Sequence, residues 1–276
     1  MVTRKGRTKG FTLVELLVVI GIIALLIGIL MPALTRAREQ ANTTKCGANL
    51  HTIGIALTMY VSQYNAYPGH ASLVSGTTAA IWPTRLRSYM NGDQGVFHCP
   101  SQDPNFEWSK VVPTTGKKAT AADSRFGYEP GELVLDVFTV PSSYGYNDWG
   151  GTGLVTSDPR LQKGLGGDIP PLAANCKEVR AGQVKVAADM IAIADATTDR
   201  SWDWNIDPLQ FDQWPGRIHG SKGKPLPATI PDPARGANVL FCDGHVEWHT
   251  QKELITLRIN GQPSAMAPRW NNDNKP

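Results

Sequence analysis

The stretch Lys9-Gly10-Phe11-Thr12-Leu13-Val14-Glu15-Leu16-Leu17-Val18-Val19-Ile20 decides how the rest of the 276-residue chain is read, and it runs on apolar through Leu30. Between Phe11 and Leu30 the only charged residue is Glu15. A helix of that length spans about 30 Å, the hydrocarbon thickness of a bilayer. The run is longer than the apolar core of a secretory signal peptide, and Met31-Pro32-Ala33 supplies no small-x-small cleavage site. A plain anchor helix would account for the length but not for Glu15, because an ionised group in hydrocarbon costs roughly 2.5 to 3.5 kcal/mol on insertion scales. That cost calls for a partner charge. Arg4, Lys5, Arg7 and Lys9 precede the run with no acid among them, which puts the N-terminus in the cytoplasm and the remainder outside.

A basic leader ending in Gly10, a Phe opening the apolar run and a carboxylate at its fifth position together resemble the type IV pilin and pseudopilin signature. The resemblance implies that prepilin peptidase cuts between Gly10 and Phe11 and methylates the new Phe11 amine. It also implies that Glu15 meets the Phe11 amine of a neighbouring subunit, so that the buried charge is neutralised on assembly. The segment Cys46-Gly47-Ala48-Asn49-Leu50-His51-Thr52-Ile53-Gly54-Ile55-Ala56-Leu57-Thr58-Met59-Tyr60 is similar to one in the enlarged pseudopilin-like proteins of planctomycetes and verrucomicrobia. Phe97-His98-Cys99-Pro100-Ser101, Ser143-Tyr144-Gly145-Tyr146-Asn147 and Asn238-Val239-Leu240-Phe241-Cys242-Asp243-Gly244-His245 extend the likeness. That family carries a histidine nine residues before an Asp-Gly. Here His219 stands 24 positions before Asp243, with four prolines between, which departs from the pattern.

Formal charge is +3, from 27 basic and 24 acidic residues; without the four leader cations, 23 remain against 24, so the mature chain sits near −1. Such a balance gives no basic surface for nucleic acid. Cysteines 46, 99, 176 and 242 would lie in a disulfide-permissive space, where four cysteines allow three full pairings and at least one disulfide is expected.

Pro32 lacks an N–H and crowds the preceding turn, which predicts a kink or a melted turn near residues 28 to 32. Leu50, Ile53, Leu57, Tyr60 and Val61 then recur at three- and four-residue spacing, the mark of a helix face packed on a core, ending near Tyr64. Trp82 to Met90 reads as a short helix with Pro83 in its first turn and Gly92 near its end. Residues 100 to 130 and 147 to 182 read as loop, while Leu133 to Val140 and Val184 to Asp195 contain strand-like runs. Asp243-Gly244 predicts a two-residue hairpin turn that sets Phe241 opposite Val246, Leu240 opposite Glu247 and Val239 opposite Trp248. Thr250 and Glu253 form a capping-box pattern for a helix stopping at Gly261.

Three constellations carry ligand-type chemistry. The predicted hairpin register places Cys242, His245, Glu247 and His249 on one face, but alternate strand residues run parallel about 7 Å apart and rarely converge on one ion, so no metal is assigned there. Asp203-Trp204-Asn205-Ile206-Asp207 begins like an EF-hand loop and then fails at Pro208 and Trp214. Ca2+ at this loop, or among Asp189, Asp195 and Asp199, is the alternative to solvated acids. Trp202, Trp204 and Trp214 are expected to form a small satellite core, an exposed carbohydrate- or protein-binding group being the other reading.

The expectation is an α+β, pilin-like protein: a long N-terminal helix, membrane half then amphipathic half, packed on an antiparallel β-sheet head with long loops. Residues 1–10 form a cytoplasmic leader, 11–34 a transmembrane and assembly helix, 35–64 its amphipathic continuation, 65–261 an extracytoplasmic head and 262–276 a loose tail. The function implied is structural rather than enzymatic: an inner-membrane subunit assembled with other pilin-like subunits and the assembly platform into a pseudopilus or type IV pilus-like filament. The alternative is a processed, membrane-tethered binding module that does not polymerise.

Overall fold

The computed structural model describes residues 12–74, 77–107, 116–135, 142–149, 163–166, 178–197, 204–220, 226–227, 229–260 and 262–275. Gly10, Phe11, Cys176, Asp199, Trp202, Asp203 and Gly261 lie outside these residues. The chain divides into two units, residues 1–41 and 42–276.

In the first unit the apolar run is helical from Leu13, the start of α1 (Leu13–Tyr64). Its large side chains are exposed all round, from Leu13 to Leu34. A helix apolar on every face is built for a surrounding that is itself apolar. The melted turn expected near residues 28 to 32 is absent, since the helix runs unbroken through Pro32. Proline removes one donor, the N–H that would bond the Gly28 carbonyl, and the ladder tolerates losing one rung when the turns on either side are good helix formers. The Thr35 hydroxyl adds a bond to the Met31 carbonyl at 2.9 Å.

In the second unit, α1 buries Leu50, Ile53, Leu57 and Tyr60 of the predicted stripe, with Val61 half-buried, and adds Cys46, Asn49 and Ala56. They pack on a sheet of β3 (Tyr144–Asn147), β4 (Ile191–Asp195), β5 (Asn205–Ile206), β6 (His219–Gly220), β7 (Arg235–Phe241) and β8 (Val246–Thr250). The order is β5-β3-β4-β7-β6, with β8 paired to β7; every pair is antiparallel except β3 with β5. β7 is the hub, and both of its faces are covered. Leu240 and Cys242 join the helix-side core, while Ala237, Val239 and Phe241 join a second core with Leu254, Met266 and Trp270. At the seam, a Cβ on Gly54 would stand 2.7 Å from Leu240 Cδ1, so glycine here lets the helix lie close over β7. A separate two-stranded sheet, β1 (Ala71–Val74) with β2 (Thr77–Ile81), leads into α2 (Trp82–Leu86) and a 3-10 turn that ends at Asn91 in the left-handed region.

Three further sequence expectations need correction. The run from Val184 is a strand only from Ile191, its first half being turns. The tail is not loose: β9 (Arg258–Ile259) and β10 (Gln262–Pro263) pair, Trp270 is fully buried, and its Nε1 donates to the Leu254 carbonyl at 2.9 Å. Trp270 closes the core on the face of the sheet away from α1, capped by α3 (Gln251–Ile255), whose Thr250–Glu253 capping box is present as read. The helix stops at Ile255, short of the expected Gly261. Trp270→Ala should therefore lower the unfolding free energy of the head by about 3 to 5 kcal/mol, measured by denaturant titration; a change under about 1 kcal/mol would mean that the tail does not hold this core.

Candidate functional site

The N-terminal segment is positioned by Thr12. Its backbone N–H and its hydroxyl both donate to Glu15 Oε2, at 2.9 and 2.7 Å, and the Glu15 N–H donates back to the Thr12 hydroxyl at 3.3 Å. This is a reciprocal cap of the first turn of α1, in which Glu15 serves as the third helical residue. Thr12-x-x-Glu15 was legible as a capping box, but the sequence reading gave Glu15 only an intersubunit role. Both bonds fall on Oε2, so among the described residues Oε1 is left for a donor from elsewhere. The cleavage junction Gly10–Phe11 lies outside the described residues.

The hairpin at Asp243-Gly244 has a three-residue loop rather than the predicted two. Phe241 N–H donates to the His245 carbonyl and Gly244 N–H to the Phe241 carbonyl, both at 3.0 Å, and Gly244 alone takes a positive φ, +95°. That is a turn closed by a left-handed glycine bulge. The register moves by one residue, giving Leu240 opposite Val246, Val239 opposite Glu247 and Asn238 opposite Trp248. A one-residue slip exchanges the faces of the whole of β8. Cys242 therefore points to the helix-side core, while His245, Glu247 and His249 share a face with Phe241. Glu247 lies 3.1 Å from His249 Nε2 and 3.4 Å from Arg269 Nη1. Burial pushes its carboxyl up, but the His249 hydrogen bond and the charges of His249, Arg269 and His245 outweigh that and hold it below the usual glutamate value. The predicted four-residue ligand face does not form.

A different cluster does form, and the sequence did not show it. Cys46 is disulfide-bonded to Cys99, and Asn49, one turn further along α1, donates to the His98 carbonyl at 3.0 Å. Against this bond lies His219, whose Nε2 is 3.5 Å from Cys99 Sγ and 3.3 Å from Asp195 Oδ2, and whose Nδ1 is 3.1 Å from the Thr43 hydroxyl. Cys46, Cys99, Asp195 and His219 are all fully buried. β4 and β6 pair with the same edge of β7, leaving Asn238 in the gap between them, and Asp195 Oδ2 accepts the Asn238 N–H there at 2.7 Å. Asp195 and His219 stand at the two lips of that gap.

Among the described residues the remaining candidate acids do not gather. Asp189 sits 3.9 Å from Arg269, and Asp207 accepts the Leu209 N–H at 2.7 Å, closing its own turn. Trp204 is buried in the helix-side core itself, its ring 4.2 Å from His70, rather than in the separate satellite core expected, and Trp214 is half-buried.

A charge-bearing apolar helix behind a basic, glycine-terminated leader, joined to an α+β head, defines the prepilin class of proteins. Residues 5–31 match the prokaryotic N-terminal methylation motif, and residues 35–91 match a family described as protein of unknown function (DUF1559). The chain is 37% identical over 105 residues to type II secretion system core protein G of Aeromonas hydrophila, covering 37% of this chain and 70% of the relative. It is 34% identical over 102 residues to the Klebsiella pneumoniae protein of the same name, covering 36% and 69%. It is 46% identical over 68 residues to the type IV wide pilus major component PilA4 of Thermus thermophilus, covering 24% and 52%. No solved structure matches. The chain belongs to the pilin-like family of type II secretion system core protein G.

Burial also sets the chemistry of the free Cys242, pushing its thiol well above the ordinary range, more than the hydrogen bond with Tyr67 offsets. A raised thiol value leaves little thiolate at neutral pH, so Cys242 should resist iodoacetamide in the folded protein and react once denatured. Peptide mapping checks this, and labelling in the native state would contradict the burial.

Proposed function

We propose that the chain is a structural filament subunit: prepilin peptidase removes residues 1–10 and methylates Phe11, the apolar half of α1 holds the subunit in the inner membrane, and the head stands outside. On assembly the helices leave the bilayer and pack together, with heads outward, into a type II secretion pseudopilus or a type IV pilus-like filament. The observation that carries this reading is the joint presence of the Gly10–Phe11 junction and Glu15 within a fully exposed apolar helix. Exposed Leu, Ile and Val on every side of residues 13–34 suit lipid first and neighbouring helices later. The proposed partners are the peptidase, other pilin-like subunits and the membrane assembly platform. A binding module that never polymerises is less favoured, because buried Trp204 offers no aromatic platform. Within the head, Asp189 is engaged by Arg269 and Asp195 by His219.

Intact-mass and N-terminal peptide analysis of protein from native membranes should find a chain beginning at monomethylated Phe11; a chain retaining Met1 to Gly10 would overturn the reading. Glu15→Ala should lower filament yield at least tenfold while the membrane-bound amount stays within twofold, since removing a charge eases insertion. Normal filaments from that variant would separate Glu15 from assembly.

A further inference from the structure

We propose that the reduced head binds one zinc ion through Cys46, Cys99, His219 and Asp195. One ligand atom from each lies within 4.8 Å of all the others. Two thiolates, one imidazole and one carboxylate form a donor set suited to tetrahedral zinc, with Zn–S about 2.3 Å and Zn–N about 2.0 Å.

The residue types are hard to explain by the disulfide alone. An apolar pocket would accommodate a disulfide at less cost than one that also buries a carboxylate and an imidazole, both with no solvent exposure. Asp195 Oδ2 is held by the backbone and the side chain of Asn238, at 2.7 and 3.2 Å, yet Oδ1 has no hydrogen-bond partner. An unpartnered buried carboxylate oxygen is what a cation would satisfy. His219 is arranged as a zinc-binding histidine is. When Nδ1 donates to the Thr43 hydroxyl, Nε2 turns a lone pair towards Cys99 and Asp195, an orientation that needs a proton or a metal between the two acceptors.

The chemistry balances as follows. A phosphine together with one water, which leave as the phosphine oxide, or a dithiol, which leaves as its own disulfide, supplies the two electrons and two protons that convert the Cys46–Cys99 disulfide to two thiols. Zinc then displaces both protons and leaves the site, with a neutral His219 and an ionised Asp195, at one net negative charge. Once the bond is broken, the two sulfurs can part to the roughly 3.7 Å edge of a zinc tetrahedron. The four ligands come from α1, the segment after the 3-10 turn at Gly95–Phe97, β4 and β6, so the ion would tie the two elements that the disulfide joins to β4 and β6 as well. A chain reaching the outer face of the membrane before oxidation would thus have a second way to close this seam.

The test uses the full chain in detergent, reduced anaerobically with a phosphine, exposed to Zn2+, passed over a desalting column and analysed for zinc and free thiols. The reduced chain should retain one zinc, the oxidised chain none, and Co2+ should give the visible absorption of a tetrahedral thiolate site. Cys242→Ser should keep the zinc, Cys46→Ser and His219→Ala should lose it, and Thr43→Val should weaken it about tenfold through the imidazole. The oxidised His219→Ala chain, checked by thermal melting, shows whether that variant folds. Three results would each overturn the proposal: a reduced chain that stays folded by circular dichroism and keeps no zinc; zinc retained equally by His219→Ala; or a chain that unfolds on reduction and is not restored by zinc.

Discussion

The closeness of α1 to β7 is the constraint on which the head depends. Gly54 sits where any side chain would strike Leu240, and Leu240 is the residue through which β7 enters the helix-side core. β7 meanwhile pairs with β4, β6 and β8 and turns Val239 and Phe241 into a second core. A strand buried on both faces has no tolerance for slippage, because a one-residue shift would bring Val239 and Phe241 under the helix and Leu240 to the opposite core. The disulfide from Cys46 and the Asn49 bond to the His98 carbonyl pin the same stretch of helix one turn apart. Position along α1 and register along β7 are therefore fixed together.

Much of this was legible. Spacing alone identified the buried stripe of α1, the Pro83 start of α2 and the Thr250–Glu253 cap of α3, because each depends on residues within a few positions of one another. The hairpin failed by one residue because Asp-Gly suits both a two-residue turn and the end of a three-residue loop. What decides between them is the need for Val246, not Glu247, beside Leu240, and that is a tertiary requirement. The tail was misread for a related reason. Proline and asparagine in residues 262–276 resemble a disordered composition, whereas a single Trp270 placed over Leu254 anchors the segment.

The polar cluster was least legible of all. Cys46, Cys99, Asp195 and His219 are spread over 174 positions, and no pair of them has motif spacing. They meet because β4 leaves the edge of β7 at Val239 and β6 takes it up only at Gly236, so that a side chain must satisfy the backbone N–H of Asn238 between them. Asp195 does this, and a carboxylate drawn into the interior in turn needs a proton or a cation beside it, at the position that His219 Nε2 faces from 3.3 Å. The unusual spacing of His219 from Asp243 does not matter to this geometry, since His219 is placed by pairing with Gly236 rather than by distance from the hairpin.

At the other end of the chain, the proposed assembly would give one carboxylate a second task, and that bears on the order of events. Glu15 Oε2 is committed to Thr12 of its own chain, which orders the first turn of α1 but leaves the negative charge intact. Hydrogen bonds from a neutral hydroxyl and an amide do not supply the opposite charge that an ion in hydrocarbon requires. In the uncleaved chain residue 11 enters a peptide bond and carries no charge, so the nearest cation is Lys9, on the aqueous side of the glycine. Cleavage after Gly10 would create an amine at the depth of the first turn, where a neighbour's Glu15 can meet it with Oε1. On this reading processing does more than trim a leader, because it generates the charge without which helix packing would bury Glu15 unpaired.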